Sequence, residues 1–197
     1  VRDERAVWEH GASVNRIRFG THFAPYRKCR LKATLRLPSK KDDTMNVQEF
    51  LIDQQVAFDA IPHRDTYDAQ RLAQVLHTPG QEVAKTVLLR ADGGYAYIVA
   101  VLPATKMVDL RKVSNVFGGS RIELATELEI KQHCPDCEMG TLPPFGSQYA
   151  MKTVVDTSLT FDEEIVFEGN SHREAIRMQY GDYYELEHPM IAQFAVS

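Results

Sequence analysis

From residue 47 onward the chain alternates between stretches with apolar residues at helical spacing and stretches with apolar residues at alternate positions or in short runs. In "NVQEFLIDQQ", Val47, Phe50 and Leu51 fall on one helical face, and "AFDAIPH" reads as a short strand closed by Pro62. "DTYDAQRLAQVLHTPG" predicts a helix with Asp65 or Thr66 as its N-cap, Ala69, Leu72, Ala73 and Leu76 on one face, and "TPG" as its stop. "VAKTVLLRADGGYAYIVAVLP" holds two β-rich runs about a "DGG" turn, for which a hairpin is the simplest reading. "DLRKVSNVFGG" predicts a helix capped by Asp109, with Leu110, Val113 and Phe117 on one face and Gly118 just past its end. "RIELA" reads as a strand, and "TELE" is a capping box, Thr126 with Glu129, that opens a helix running toward Cys134. "MKTVVD", "EEIVFE" and "REAIRM" read as strands, and "YGDYYELEH" as a last short helix or turn. Strands and helices interleave without an even βαβ rhythm. That order predicts a mixed sheet flanked by helices, in one α/β or α+β domain.

Charge divides the chain at Met45. Residues 1–44 carry 11 basic and 5 acidic residues, whereas 45–197 carry 12 and 22. The first segment shows little sustained apolar periodicity and holds the runs "RKCRLK" and "SKKDD". It is expected to be a poorly ordered basic extension, with 45–197 as the folded domain. Upstream sequence included by a wrong start is the favoured origin; an organelle presequence or a basic nucleic-acid arm are the alternatives. With 44% hydrophobic residues in 197, a buried core is available. No run of 18 apolar residues suits a membrane span, so the expectation is a cytoplasmic protein with no membrane partner. The cysteines Cys29, Cys134 and Cys137 are sparse and odd in number, which fits a reducing compartment.

Candidate chemistry is concentrated in a few places. "HCPDC" offers two thiolates, but a structural zinc needs four ligands and no second pair follows, so no metal is expected. Lys85 in "EVAKTVLLR" shares strand parity with Val83, Val87 and Leu89. It is either a lysine that snorkels to water or a cation aimed into a pocket, where it could hold a phosphate or steady an oxyanion. His172 in "EGNSHRE" lies between two strands and is either an ordinary surface histidine or a wall of a small pocket. In "GTLPPFG", Pro143 and Pro144 have no N–H, so the stretch cannot be a central strand, and Gly140 and Gly146 permit positive φ and close approach.

Taken together, "VAKTVLLR" at 83–90, "PDCEMGTLPPFG" at 135–146 and "FEGNSHREAIRM" at 167–178 resemble the YbaK and prolyl-tRNA synthetase editing-domain family, over about residues 46–187. The resemblance implies a largely antiparallel curved sheet and an enzyme that removes wrongly attached small amino acids from tRNA, most typically from tRNA(Pro). It implies that Lys85 is the key functional residue, that the loop Gly140, Thr141, Leu142, Pro143, Pro144, Phe145 and Gly146 borders the aminoacyl pocket, and that Ser171 and His172 help shape it. Its partners would be the acceptor end of an aminoacyl-tRNA and prolyl-tRNA synthetase, with no cofactor. Two departures stand out. Asn170-Ser171-His172 replaces the G-S-H of many alanine-type members, and Ala175 aligns with an aspartate of cysteine-type members, which favours an alanine-type pocket.

An aminoacyl ester is already activated, so a positioned water and oxyanion stabilisation could suffice without a triad. On this reading the N–H groups of the 140–146 loop hold the ester, Pro144 and Phe145 form a rigid wall, and Lys85 anchors a phosphate or neutralises developing charge. Residues 85–121 hold six basic and two acidic residues, so a local basic face is expected beside Lys85 for the tRNA end. The rival readings are a non-catalytic module that binds the charged 3′ end or a synthetase, and a metal or redox protein built on Cys134 and Cys137.

Overall fold

The computed structural model describes residues 46–92 and 97–197. The extension predicted for residues 1–44, and Gly93 and Gly94 of the "DGG" turn, lie outside the described residues.

The first helix, α1 (Val47–Asp53), starts where Asn46 accepts the N–H groups of Gln48 and Glu49, and it buries Val47 and Leu51. β1 (Phe58–Pro62) follows as expected. α2 (Ala69–Val75) buries Leu72 and Ala73, but its cap is Asp68, which accepts the Arg71 N–H at 2.7 Å. The residues expected to cap it are used elsewhere: Asp65 pairs with Arg173 at 2.8 Å and the Thr66 hydroxyl donates to Glu168 at 3.1 Å. α2 therefore begins one turn later than its polar prelude suggests.

β2 (Ala84–Ala91) and β3 (Tyr97–Pro103) form the anticipated antiparallel hairpin, Lys85 facing Leu102 and Leu89 facing Ile98. After the two-residue β4 (Met107–Val108), α3 (Leu110–Val116) is capped by Asp109 and stopped by Gly118 and Gly119, which take φ of +70° and +84°. β5 (Ile122–Leu124) leads into α4 (Glu127–His133), whose capping box of Thr126 and Glu129 is formed in full. Strands β6 (Lys152–Asp156), β7 (Glu164–Glu168) and β8 (Glu174–Gln179) and helix α5 (Tyr180–Glu187) complete the predicted elements. Two short strands, β9 (Met190–Ala192) and β10 (Ala195–Val196), add to them.

The fold is mixed α/β, but its strands divide between sheets rather than forming one. A five-stranded sheet runs β5-β2-β3-β6-β9, antiparallel among its first three strands and parallel from β3 to β9. An antiparallel three-stranded sheet runs β1-β8-β7, and β4 pairs with β10. Among the described residues a single parallel bridge, Val83 to Val166, joins the two larger sheets. The main core lies on the face of the hairpin that carries Ala84, Leu88, Val99 and Val101, where Leu51, Phe145, Phe167, Ile176 and Tyr183 are buried. The opposite face buries Leu89, Ile98 and Leu102 against Val113 and Phe117 of α3. A third cluster puts α2 against the bridge, with Leu72 and Ala73 on Val83, Val166 and Ala175.

Candidate functional site

Lys85 sits at the start of β2, half-buried, and its Nζ lies 3.5 Å from the Ala104 carbonyl oxygen. Burial pulls its ammonium below the ordinary lysine value. The same carbonyl accepts from Gln70 Nε2 at 3.4 Å, so the ammonium shares an acceptor with the first turn of α2. Gln70 also lines a cleft of about 650 Å³ with Gln74, His77, Thr78 and Thr105 among others, but Lys85 is not one of its walls.

The bridge between Val83 and Val166 sets the next step. Two residues along each neighbouring strand, Lys85 and Glu168 stay on the face that Val83 and Val166 present to α2. The stretch 66–70 spans them, since Thr66 hydrogen-bonds Glu168 and Gln70 shares the acceptor of Lys85. Thr86 necessarily points the other way, and its buried Oγ1 has no hydrogen-bond partner among the described residues.

His172 occupies the β7–β8 turn as expected, but it is not an ordinary surface histidine, because its side chain is only 12% exposed. Its Nε2 faces the Met139 carbonyl oxygen at 2.9 Å, and its Nδ1 faces Glu168 Oε2 at 3.6 Å. A carbonyl can only accept, so Nε2 carries a proton. Nδ1 and the Glu168 carboxyl lie within ion-pair reach but beyond hydrogen-bond distance, and the buried Nδ1 has no hydrogen-bond partner among the described residues. Burial raises Glu168 above the ordinary carboxyl value, against the pull of His172, Thr66 and His63. The exposed Tyr67 ring lies 4.8 Å from the imidazole.

The turn is tied to the head of the proline loop. Glu138 accepts the His172 N–H at 2.8 Å and donates its own N–H to Asn170 O at 3.0 Å. Gly140 has φ of +95°, and a Cβ built there would lie 3.7 Å from His172 Cε1. Asn170 makes the tight bend by taking φ of +66°, a left-handed conformation that asparagine tolerates better than most side chains. Ser171 only caps the turn, accepting weakly from Arg173 N at 3.5 Å. Ala175 is fully buried in the apolar cluster under α2.

The rest of the loop departs from expectation. Thr141 to Gly146 are all buried, and Phe145 is no pocket wall: its ring sits among Phe50, Phe167 and Tyr183, with centroids 5.3, 5.8 and 5.4 Å away. Of the loop N–H groups, Thr141 donates to Glu138 O and Gly146 to Thr153 Oγ1. Those of Gly140, Leu142 and Phe145 have no acceptor among the described residues. The structure thus brings Gly140 and His172 together and sets Lys85 and Glu168 on one face. It does not bring Lys85 into hydrogen-bond contact with the loop.

Burial pushes the thiols of Cys134 and Cys137 up to about 12, so neither is a thiolate near neutral pH. Cys137 instead packs its sulfur 3.3 Å from the Tyr149 hydroxyl and 3.3 Å from Asn170 Nδ2. Among the described residues no group of three or more His, Cys, Asp or Glu is arranged to hold a metal ion. Of the six basic residues behind the local basic face expected beside Lys85, two are paired with acids elsewhere. Arg90 pairs with Glu123 and Glu129, and Arg121 with Glu123, far along β2 and β5 from Lys85. Sequence reading missed Glu168, Thr66 and Gln70; the only signal for Glu168 was its position four residues before His172.

Comparison with known proteins bears on the family and the fold. The model of the aminoacyl-tRNA editing domain matches residues 63–186, more than half of the chain. The chain therefore belongs to the aminoacyl-tRNA editing domain family. A proline–tRNA ligase of Geobacillus sp. (strain WCH70) is 33% identical over 101 residues, 44% of this chain and 17% of the ligase, so the chain spans about a sixth of that relative. Among solved structures, one described as a candidate trans-editing enzyme for prolyl tRNA synthetase superposes with a TM-score of 0.67 at 18% identity, over 81% of this chain and 100% of that one. A hypothetical protein of known crystal structure gives 0.70 at 17% identity, over 76% and 99%. Both likenesses are of fold. Among the described residues no helix is long and apolar enough to cross a membrane.

Proposed function

We propose that the chain is a trans-editing aminoacyl-tRNA deacylase that hydrolyses the ester of a small mischarged amino acid, alanine above others, on tRNA(Pro). The observation that carries this reading is the junction of His172 with Met139 and Gly140, beside the strand face shared by Lys85 and Glu168. Family membership and the candidate trans-editing neighbour support the reaction class. Ala175, at the position where the sequence comparison of motifs sets an aspartate of cysteine-type members, supports the alanine-type preference.

In the reaction, a water adds to the ester carbonyl, the C–O bond to the ribose breaks, and the water's proton ends on the ribose oxygen. Lys85 supplies a half-desolvated positive charge to the terminal phosphate or to the developing oxyanion, where weak screening makes it count for more than in bulk water. Leu142 N–H, having no acceptor of its own, is available to the substrate carbonyl. His172 and Glu168 hold the Met139–Gly140 backbone and close one side of the pocket. Steric exclusion by such a pocket discriminates in the direction a synthetase finds hard, since one methylene is worth only roughly 1–3 kcal/mol to an apolar site.

The test is the rate of amino-acid release from Ala-, Ser- and Cys-tRNA(Pro) by the wild type and by Lys85→Ala. Loss of one charge-stabilising group should slow the alanyl ester by about 10²–10³-fold with the fold retained. Unchanged turnover by the variant removes Lys85 from the mechanism, and tight binding of charged tRNA with no release by the wild type overturns the enzyme in favour of a binding module.

A further inference from the structure

The buried half of the proline loop is held by groups that no functional motif contains. We infer that Thr153 of β6 and Glu187 of α5 are positioning residues that set how closely the 140–146 loop lies against the sheet, and thereby the size of the amino-acid side chain the editing pocket admits. This inference rests on the deacylase reading above.

The anchor is continuous. Gly146 N–H donates to Thr153 Oγ1 at 3.1 Å, and the Thr153 hydroxyl passes its own proton to Glu187 Oε1. The other donors to Glu187 come from Ser147, whose N–H meets Oε1 at 3.0 Å and whose hydroxyl meets Oε2 at 2.6 Å. One turn earlier on α5, the buried Tyr183 hydroxyl donates to Pro144 O at 3.0 Å. The loop end has no slack: a Cβ on Gly146 would lie 2.5 Å from Thr153 Oγ1, 3.0 Å from Val99 Cγ2 and 3.2 Å from Met151 O. Pro143 and Pro144 remove two of the softest torsions between this anchor and Leu142.

The Ser147 N–H and the Ser147 and Thr153 hydroxyls all donate to Glu187, and a carboxylate makes these bonds charge-assisted. A glutamine at 187 would turn its NH₂ toward Ser147 Oγ, which could accept it only by reversing its own hydroxyl, and would leave weaker neutral bonds in place of charge-assisted ones. Burial pushes the Glu187 carboxyl up while Ser147 and Thr153 pull it back, so the acid is kept at a desolvation cost. An apolar contact could secure α5 more simply; what the carboxylate adds is a grip on the loop's backbone. The opposite end of the loop is held by Glu138 and His172, so residues 141–145 hang between two anchors.

The experiment compares wild type, Thr153→Val, Thr153→Ser and Glu187→Gln by two readouts. One is the ratio of kcat/KM for Ala-tRNA(Pro) to that for the larger Pro-tRNA(Pro); the other is amide exchange of peptides covering the loop. Thr153→Val and Glu187→Gln should lower the ratio roughly tenfold, the scale of one methylene of misfit, and raise loop exchange, while Thr153→Ser restores both. An unchanged ratio and unchanged loop exchange in Glu187→Gln, with or without a loss of overall stability, overturns the inference, as does a Thr153→Ser variant no better than Thr153→Val. If the wild type releases no amino acid, the deacylase reading fails, and exchange alone then decides whether this anchor holds the loop.

Discussion

Replacing Asn170 by alanine removes several interactions at once and leaves a Cβ residue in a left-handed bend. Asn170 Oδ1 accepts the Val47 N–H at 2.9 Å, a buried bond that ties the first turn of α1 to the β7–β8 turn. Its Nδ2 donates to Asp136 Oδ2 at 3.0 Å and approaches Cys137 Sγ at 3.3 Å. Leaving the Val47 N–H unpaired costs about 1–3 kcal/mol, and taking one donor from a carboxylate costs about 1.5–3 kcal/mol. Alanine at φ of +66° adds roughly 1 kcal/mol of backbone strain that asparagine largely escapes. Because the two bonds share one side chain, their losses do not add in full, and the expected total is about 3–5 kcal/mol. Glycine at the same position relieves the strain but not the lost bonds, so Asn170→Gly should recover about 1 kcal/mol over alanine. Urea unfolding followed by circular dichroism measures both. An alanine variant within 1 kcal/mol of wild type, or a glycine variant less stable than alanine, would refute the account of this turn.

Phe145→Ala should destabilise by about 3–5 kcal/mol, as expected for a ring removed from a full core, and a calorimetric melt near that of wild type would return Phe145 to the pocket wall. Asp156 carries the acid sensitivity of the C-terminal strands. Burial works against its ionisation, but Ser158, through hydroxyl and N–H, and the N–H groups of Ala195 and Phe194 outweigh it and hold the carboxyl below its ordinary value. Its contribution is therefore present above the unfolded carboxylate value and is lost as pH falls through the folded one. Asp156→Asn should cost about 2 kcal/mol or more at neutral pH and little in strong acid; an equal loss in stability at both ends of a pH series of melts contradicts it.

Much of the fold was legible in the chain because it is written in short-range chemistry. Asn46, Asp109 and Thr126 with Glu129 cap helices within one turn of themselves, Gly118 ends α3 by adopting a bend that side chains resist, and the β2–β3 pairing follows from two β-rich runs joined by a turn. Lys85 was visible for the same reason, as a charge out of place on an apolar parity, and His172 and the proline loop as residue types with narrow uses. The failures share another cause. Asp65, Thr66 and Asp68 are equally good caps by composition, and Arg173 and Glu168, more than a hundred positions away, decided that only Asp68 was free to serve. Phe145 between prolines and glycine has the composition of an exposed bend, yet rings from α1, β7 and α5 close over it. A count of charges over 85–121 could not foresee that Glu123 and Glu129 would take up two of the arginines. Thr153 and Glu187 carried no local mark at all, because a carboxyl or hydroxyl gains its role only from the donors that packing places around it. What the chain determined by itself was where the backbone bends and which residues could do chemistry; which of them meet was settled by strand pairing and burial, interactions that form only between segments distant in sequence.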